Sequence, residues 1–160
     1  MREMLRAEQL SSEQACAALD HWLAAHPDLR TVAAYSALAG EVDFSKIIHA
    51  WPDLAWVHPR ISGHHLSFHH GENFVRGPFG ILEPDADSLE IPICEIDAFL
   101  CPGLAFDAKG GRLGRGRGFY DRVLARARPD ALKLGVCFHF QLVPDTFSEP
   151  HDVPMDAVIF

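Results

Sequence analysis

A mostly apolar run from Ile96 to Phe106 gives way to Asp107-Ala-Lys-Gly-Gly-Arg-Leu-Gly-Arg-Gly-Arg-Gly-Phe-Tyr-Asp121, where a helix is predicted to open at Phe119. This strand, loop and helix constrain the fold more than any other stretch. Gly110, Gly111, Gly114, Gly116 and Gly118 are interspersed with Arg112, Arg115 and Arg117. Glycine lets backbone N–H groups turn toward a ligand with no Cβ in the way. Arginine supplies a forked charge, and a helix N-terminus adds partial positive charge. Ordering so many glycines is costly in entropy, which argues against a merely solvated hairpin tip. The loop reads as a cradle for an oligophosphate. Neither G-x-x-x-x-G-K-[ST] nor G-x-G-x-x-G occurs, so it is not a Walker loop, and dinucleotide binding is poorly supported.

The rest of the chain alternates strand and helix signals. Ser11 and Gln14 have capping-box spacing, predicting a helix to about Ala25 with Ala15, Leu19, Trp22 and Leu23 on one face. Thr31 to Leu38 reads as a strand, Gly40-Glu41 as a loop and Asp43 to Ala50 as a short helix. Leu54 to Val57 is a second strand ended by His58-Pro59, and Gly63 to Phe79 holds one or two short strands. Ile96 to Leu100 is a buried strand, and Tyr120, Val123, Leu124 and Ala127 give a helical stripe ending at Pro129. Leu132 to Phe138 and Ala157 to Phe160 complete the set. The alternation predicts a three-layer α/β/α fold with a mainly parallel sheet, spanning residues 1–160 as one domain without a separate linker. Ligands in such folds bind beyond the carboxyl ends of the strands, where the glycine loop lies.

Net charge is -8, which argues against general nucleic-acid binding and makes the three clustered arginines a focused anion site. Cys16, Cys94, Cys101 and Cys137 show no C-x-x-C spacing, so reduced thiols are expected rather than zinc or a disulfide framework. No apolar run reaches the roughly 18 residues of a membrane span, and no signal peptide precedes the first helix. A cytoplasmic protein is expected, with no membrane partner.

Asp121 falls in the first turn of the helix after the loop, where it could complement the helix dipole. Beside three arginines it reads as a Mg²⁺ ligand, since Mg²⁺ takes one or two carboxylates and completes its shell with phosphate oxygens and water. His64-His65 and His69-His70 form a cluster in which His65, Ser67 and His69 would share a strand face. An exposed hairpin is expected there rather than a metal site. Asp97 and Asp107 are read as structural.

The runs Pro102-Gly-Leu-Ala-Phe-Asp107 and Gly111-Arg-Leu-Gly-Arg-Gly-Arg-Gly-Phe-Tyr-Asp-Arg122 closely resemble the signature of the 5-formyltetrahydrofolate cyclo-ligase family. The closing segment His151-Asp-Val-Pro-Met-Asp156-Ala-Val, Gly40-Glu41-Val-Asp43, Pro59-Arg60 and Gly77-Pro-Phe-Gly-Ile-Leu-Glu-Pro84 recur in place and order. The resemblance runs from Thr31 to the end. It implies an ATP- and Mg²⁺-dependent enzyme that converts 5-formyltetrahydrofolate to 5,10-methenyltetrahydrofolate, a monomer or weak homodimer acting on a reduced folate.

Carried over by position, the resemblance implies that Arg112, Gly114, Arg115, Gly116, Arg117, Gly118 and Tyr120 bind ATP. Arg115, Arg117 and Phe119 fall where nucleotide meets folate and are the expected catalytic residues. Glu41 and Phe79, with Arg115 and Phe119, are expected to bind the substrate, and Asp121 and Asp156 to bind the metal. Arg2 and Arg6 keep the spacing of the family's Lys-x-x-Leu-Arg, which reaches the ATP phosphates, with arginine in place of lysine. The helix between them and Ser11 reads as about two turns shorter than the family's. Two alternatives stay open. One is a divergent relative that binds a nucleotide or phosphorylated metabolite without cyclising folate, and the other is a non-catalytic nucleotide-binding protein.

Overall fold

The computed structural model describes residues 2–160, with side chains described from Ser12 onward. Helix α1 runs Arg2–Ala24 as one piece of 23 residues. The predicted start at Ser11 is therefore corrected. Residues 2–10 are good helix formers with no glycine or proline among them, and one capping-type hydroxyl does not stop a helix already under way. Ala15, Leu19 and Leu23 recur at four-residue spacing and are buried. Each leucine so placed contributes about 1.5–3 kcal/mol.

The strands follow in order: β1 Thr31–Ala33, β2 Ala55–Ser62, β3 His65–His70, β4 Phe74–Arg76, β5 Leu82–Pro84 and β6 Glu90–Ile91. Then come β7 Ala98–Cys101, β8 Ala105–Phe106, β9 Arg112–Leu113, β10 Leu132–Val136 and β11 Ala157–Ile159. Helix α2, Ser45–Ala50, joins β1 to β2, and helix α3, Phe119–Leu124, follows the glycine loop. Seven strands form the main sheet in the order β11-β10-β7-β1-β2-β3-β6. Pairing is parallel from β11 through β2, and β3 and β6 add antiparallel rungs.

Alternate residues divide between two cores. Val32, Leu100, Leu134 and Val136 pack with α1 and α2 residues, while Ala33, Phe99 and Cys101 pack with Val123 and Leu124 of α3. The sheet is thus covered on both faces, as expected. Several strand boundaries differ from the sequence reading, two of them by more than two residues. β1 ends at Ala33 instead of Leu38, and β2 continues through Pro59 to Ser62. The last rung shared by β1 and β2 is Ala33–Val57, so Pro59 lies where that edge of β2 needs no donor. Among the described residues no helix is long and apolar enough to cross a membrane.

Chain order places the site. From β1 the chain winds outward through β2, β3 and β6, then returns to β7 on the other side of β1 and winds out through β10 and β11. The gap between β1 and β7 is a topological switch point, and ligand crevices open at the carboxyl ends of such strand pairs.

Candidate active site

A cleft of about 480 Å³ opens at that switch point. The segment after β1 contributes Tyr35 and Glu41, the turn after β7 contributes Pro102 and Gly103, and the whole stretch Gly114 to Asp121 forms one wall. Phe79 and Glu83 of the β4–β5 hairpin close another side.

The base of the glycine loop is anchored by Asp107, a buried carboxylate. Its Oδ1 accepts the N–H groups of Lys109 at 2.8 Å and Gly111 at 3.0 Å. Oδ2 accepts the Thr146 N–H at 2.9 Å and the Thr146 hydroxyl at 2.6 Å. The hydroxyl bond, with the backbone bonds behind it, holds this carboxyl down to about 2 against the opposing effect of burial. Asp107 is therefore structural, as is Asp97, which accepts the N–H groups of Arg30 at 2.6 Å and Thr31 at 2.8 Å.

Above this anchor the backbone is open. No N–H from Gly114 to Gly118 donates to another described residue. Gly116 and Gly118 take φ of 77° and 64°, which lets the strand-to-helix turn present those groups to the cleft. Arg115 Nη2 lies 3.2 Å from Glu41 Oε1, and Glu41 Oε2 accepts the Leu38 N–H at 2.9 Å. The Arg117 guanidinium covers the Phe79 ring at 3.9 Å from its centroid. Phe79 itself sits at φ 61°, a strained setting for a bulky residue.

Arg112 behaves differently from its two neighbours. Its side chain is only 5% exposed, pairs with Asp121 Oδ1 at 3.1 Å and donates to the Pro102 carbonyl at 3.2 Å. Beneath the cleft, Arg112 Nε and the Tyr120 hydroxyl are buried without partners among the described residues. Burial pushes the Tyr120 phenol well above its ordinary value, so it is a neutral hydroxyl.

The sequence profile of the 5-formyltetrahydrofolate cyclo-ligase family matches residues 2–160. The chain belongs to that family. It is 32% identical over 139 residues to the 5-formyltetrahydrofolate cyclo-ligase of Escherichia coli K12, covering 81% of this chain and 76% of that one. It is 43% identical over 86 residues to the enzyme of the same name from Mycolicibacterium smegmatis, a match spanning 53% of this chain and 44% of that protein. The solution structure of Aquifex aeolicus 5,10-methenyltetrahydrofolate synthetase superposes with a TM-score of 0.83 at 30% identity, covering 96% of this chain and 79% of that one. The corresponding synthetase from Mycoplasma pneumoniae has a TM-score of 0.80 at 24% identity, covering 96% and 86%, and shares the fold.

In this cyclo-ligase family member, the structure brings Glu41, Phe79, Arg112, Gly114, Arg115, Gly116, Arg117, Gly118, Phe119, Tyr120 and Asp121 to one cleft. Asp156 is not among its lining residues. Its Oδ2 accepts the Lys133 N–H at 2.7 Å and faces the Lys133 ammonium at 3.2 Å, level with the start of β10. Asp121 lines the cleft, and Asp156 follows three residues after Val153, whose N–H reaches Asp121 Oδ1 at 3.4 Å. Among the described residues no group of three or more metal-ligating side chains occurs. The side chains of Arg2 and Arg6 lie outside the described residues.

The histidine cluster departs from expectation in part, since His64 and His65 are exposed at the β2–β3 turn as expected but His69 is not. His69 is buried, with Nε2 2.8 Å from the Ser67 hydroxyl and Nδ1 3.0 Å from the Ser88 carbonyl. Its register partner His58 is buried too, and burial pulls it down to about 4. Sequence reasoning missed Glu83, a buried carboxylate whose Oε1 accepts the Ile61 N–H at 3.1 Å and whose pKa burial raises. It also missed Phe147. Only its place in the run Gly77 to Pro84 marked the first, and nothing in local pattern marked the second.

Proposed function

We propose that this cleft converts 5-formyltetrahydrofolate to 5,10-methenyltetrahydrofolate with ATP and Mg²⁺. The observation that carries the reading is the run from Gly114 to Gly118, whose N–H groups are unpaired among the described residues, which carries Arg115 and Arg117 within it and is faced by Glu41. N–H groups and guanidinium groups suit the oligophosphate, and a carboxylate suits the N–H donors of a pterin ring.

The reaction divides into two steps. The formyl oxygen attacks the terminal phosphorus of ATP, an O–P bond forms, and the bond to the departing ADP breaks. The N10 amine then attacks the activated formyl carbon, loses its proton to solvent, and the carbon–oxygen bond breaks to release phosphate. Phosphoryl transfer needs positioning and charge neutralisation rather than covalent help from the protein. The loop N–H groups hold the phosphate chain, and Arg115 and Arg117 neutralise the oxygens in flight. Glu41 is kept aimed at the cleft by the Leu38 N–H and orients the folate. Phe79 and Phe119 offer apolar ring surface beside it.

Asp121, with Asp156 as a second acidic position, fits the one or two carboxylates that Mg²⁺ takes. Asp121 Oδ1 is held by Arg112, and Oδ2 takes no hydrogen bond among the described residues. When bound there, Mg²⁺ supplies further neutralisation of phosphate charge. Four free cysteines suit a reducing compartment such as the cytoplasm.

The reading is tested by following absorbance of the methenyl product from 5-formyltetrahydrofolate. Product should form with Mg-ATP and not when either ATP or Mg²⁺ is withheld. Folded, metal-replete protein that gives no product would overturn it.

A further inference from the structure

Among the described residues only two that are not glycine adopt positive φ, and both are phenylalanines lining the same cleft: Phe79 at 61° and Phe147 at 55°. A bulky side chain is strained in that region, so the surroundings must hold it there. At Phe147 the holding is visible. Its N–H donates to Asp145 Oδ1 at 2.8 Å, and Lys109 Nζ fixes the other oxygen of Asp145 at 3.2 Å. The result is a phenylalanine ring 85% exposed, more than any other large apolar side chain described. An anchored, strained and bare ring at the mouth of a cleft has no packing reason to exist.

Phe79 and Phe147 lie toward different ends of the phosphate loop. Phe79 is covered by Arg117, on the side of Arg115 and Glu41. The segment that carries Phe147 approaches the other end, where the Val153 N–H reaches Asp121 Oδ1 at 3.4 Å. There a second hollow of about 480 Å³ adjoins the cleft and shares Arg112, Phe147 and Asp152 with it. Lys109, Ser148 and Asp152 line this hollow and offer polar edges. A nucleotide whose phosphates lie along the loop, with folate at the Glu41 end, extends its nucleoside into this hollow.

We infer that the Phe147 ring is the platform on which the nucleobase of ATP stacks. The inference rests on the cyclo-ligase reading of the cleft. Stacking on an aromatic side chain changes affinity by about 5- to 150-fold per base.

The test is calorimetric binding of Mg-ATP, Mg-tripolyphosphate and 5-formyltetrahydrofolate to the full chain, with steady-state kinetics alongside. Phe147→Ala should weaken Mg-ATP about 10-fold or more and raise the KM for ATP by a similar factor. Tripolyphosphate, which lacks a base, should bind as before, and the KM for 5-formyltetrahydrofolate should not move. Phe147→Gly should lose the same ATP affinity while raising Tm, because glycine relieves the strain. Phe147→Trp should restore binding. Equal Mg-ATP affinity in wild type and Phe147→Ala would overturn the platform alone. A loss confined to folate binding would overturn it by assigning the ring to the other substrate. Wild-type protein that binds no Mg-ATP would overturn the cyclo-ligase reading and the platform together.

Discussion

Arg115 and Glu41 form an ion pair of 3.2 Å between segments 74 positions apart, joining the glycine loop to the chain that leaves β1. The carboxylate is 8% exposed and the guanidinium 51%. The acid is the fixed partner, held also by the Leu38 N–H, and the arginine is the adjustable one. On the proposed reading, the pair sits where the folate end of the cleft would meet the phosphate end.

Because Arg115 is half exposed, its pair with Glu41 contributes at most about 1 kcal/mol to stability. Arg115→Ala should leave the urea midpoint nearly unchanged. Turnover should fall about 100-fold, the usual scale for removing a group that stabilises developing charge. A large loss of stability with normal kcat would make Arg115 a structural residue.

Asp121 differs because its partner Arg112 is almost fully enclosed. Asp121→Asn keeps an oxygen for the guanidinium but removes the charge, so stability should drop by about 1–3 kcal/mol. The Mg²⁺ concentration giving half-maximal activity should rise together with a fall in kcat. Unaltered Mg²⁺ activation in this variant would remove the metal from Asp121.

Two glycines of the loop should respond differently to alanine. A Cβ at Gly111 meets Thr146 Oγ1 and Asp107 Oδ2, so Gly111→Ala disrupts the anchor and should cost about 1–3 kcal/mol by overpacking. Gly116 has nothing near its missing Cβ, but its φ of 77° makes alanine unfavourable by about 1–2 kcal/mol. Gly116→Ala should raise the KM for ATP because the methyl crowds the cradle. Thermal melts and ATP titrations of the two variants separate the anchor from the cradle.

Acid should weaken the fold in two stages. Burial lowers the His58 pKa from 6.5 to about 4, so the unfolded chain takes up this proton first. Stability is therefore lost as pH falls from about 6.5 to about 4, and His58→Leu should flatten that interval. The Asp107 pKa is depressed from 3.8 to about 2, so its contribution is complete above 3.8 and is lost as pH falls toward 2. Urea midpoints across this range would show both. An unchanged slope in His58→Leu would assign the first stage to another group.

The fold was legible where local pattern and packing agree. The Ala15–Leu19–Leu23 face, the β7-to-α3 connection and the parallel alternation follow from residue spacing alone. Pattern misled where tertiary context decides. Ser11 looked like a helix start although residues 2–10 continue the helix, and Pro59 looked like a strand end although its edge of β2 has no neighbour. At the site, the glycine–arginine loop and Glu41 were readable from residue type and family resemblance. The enclosed setting of Arg112, the Lys133 contacts of Asp156 and the strain at Phe147 depend on residues distant in sequence, and no local signal carries them.

The central claim is that this cleft transfers phosphate to the formyl oxygen of the folate. It is tested most directly by a heavy oxygen isotope placed in the formyl group of 5-formyltetrahydrofolate, followed by mass analysis of the inorganic phosphate after turnover with Mg-ATP. The mechanism requires the label to appear in phosphate, one labelled oxygen for each methenyl product formed. Label released into water, with unlabelled phosphate, would contradict it.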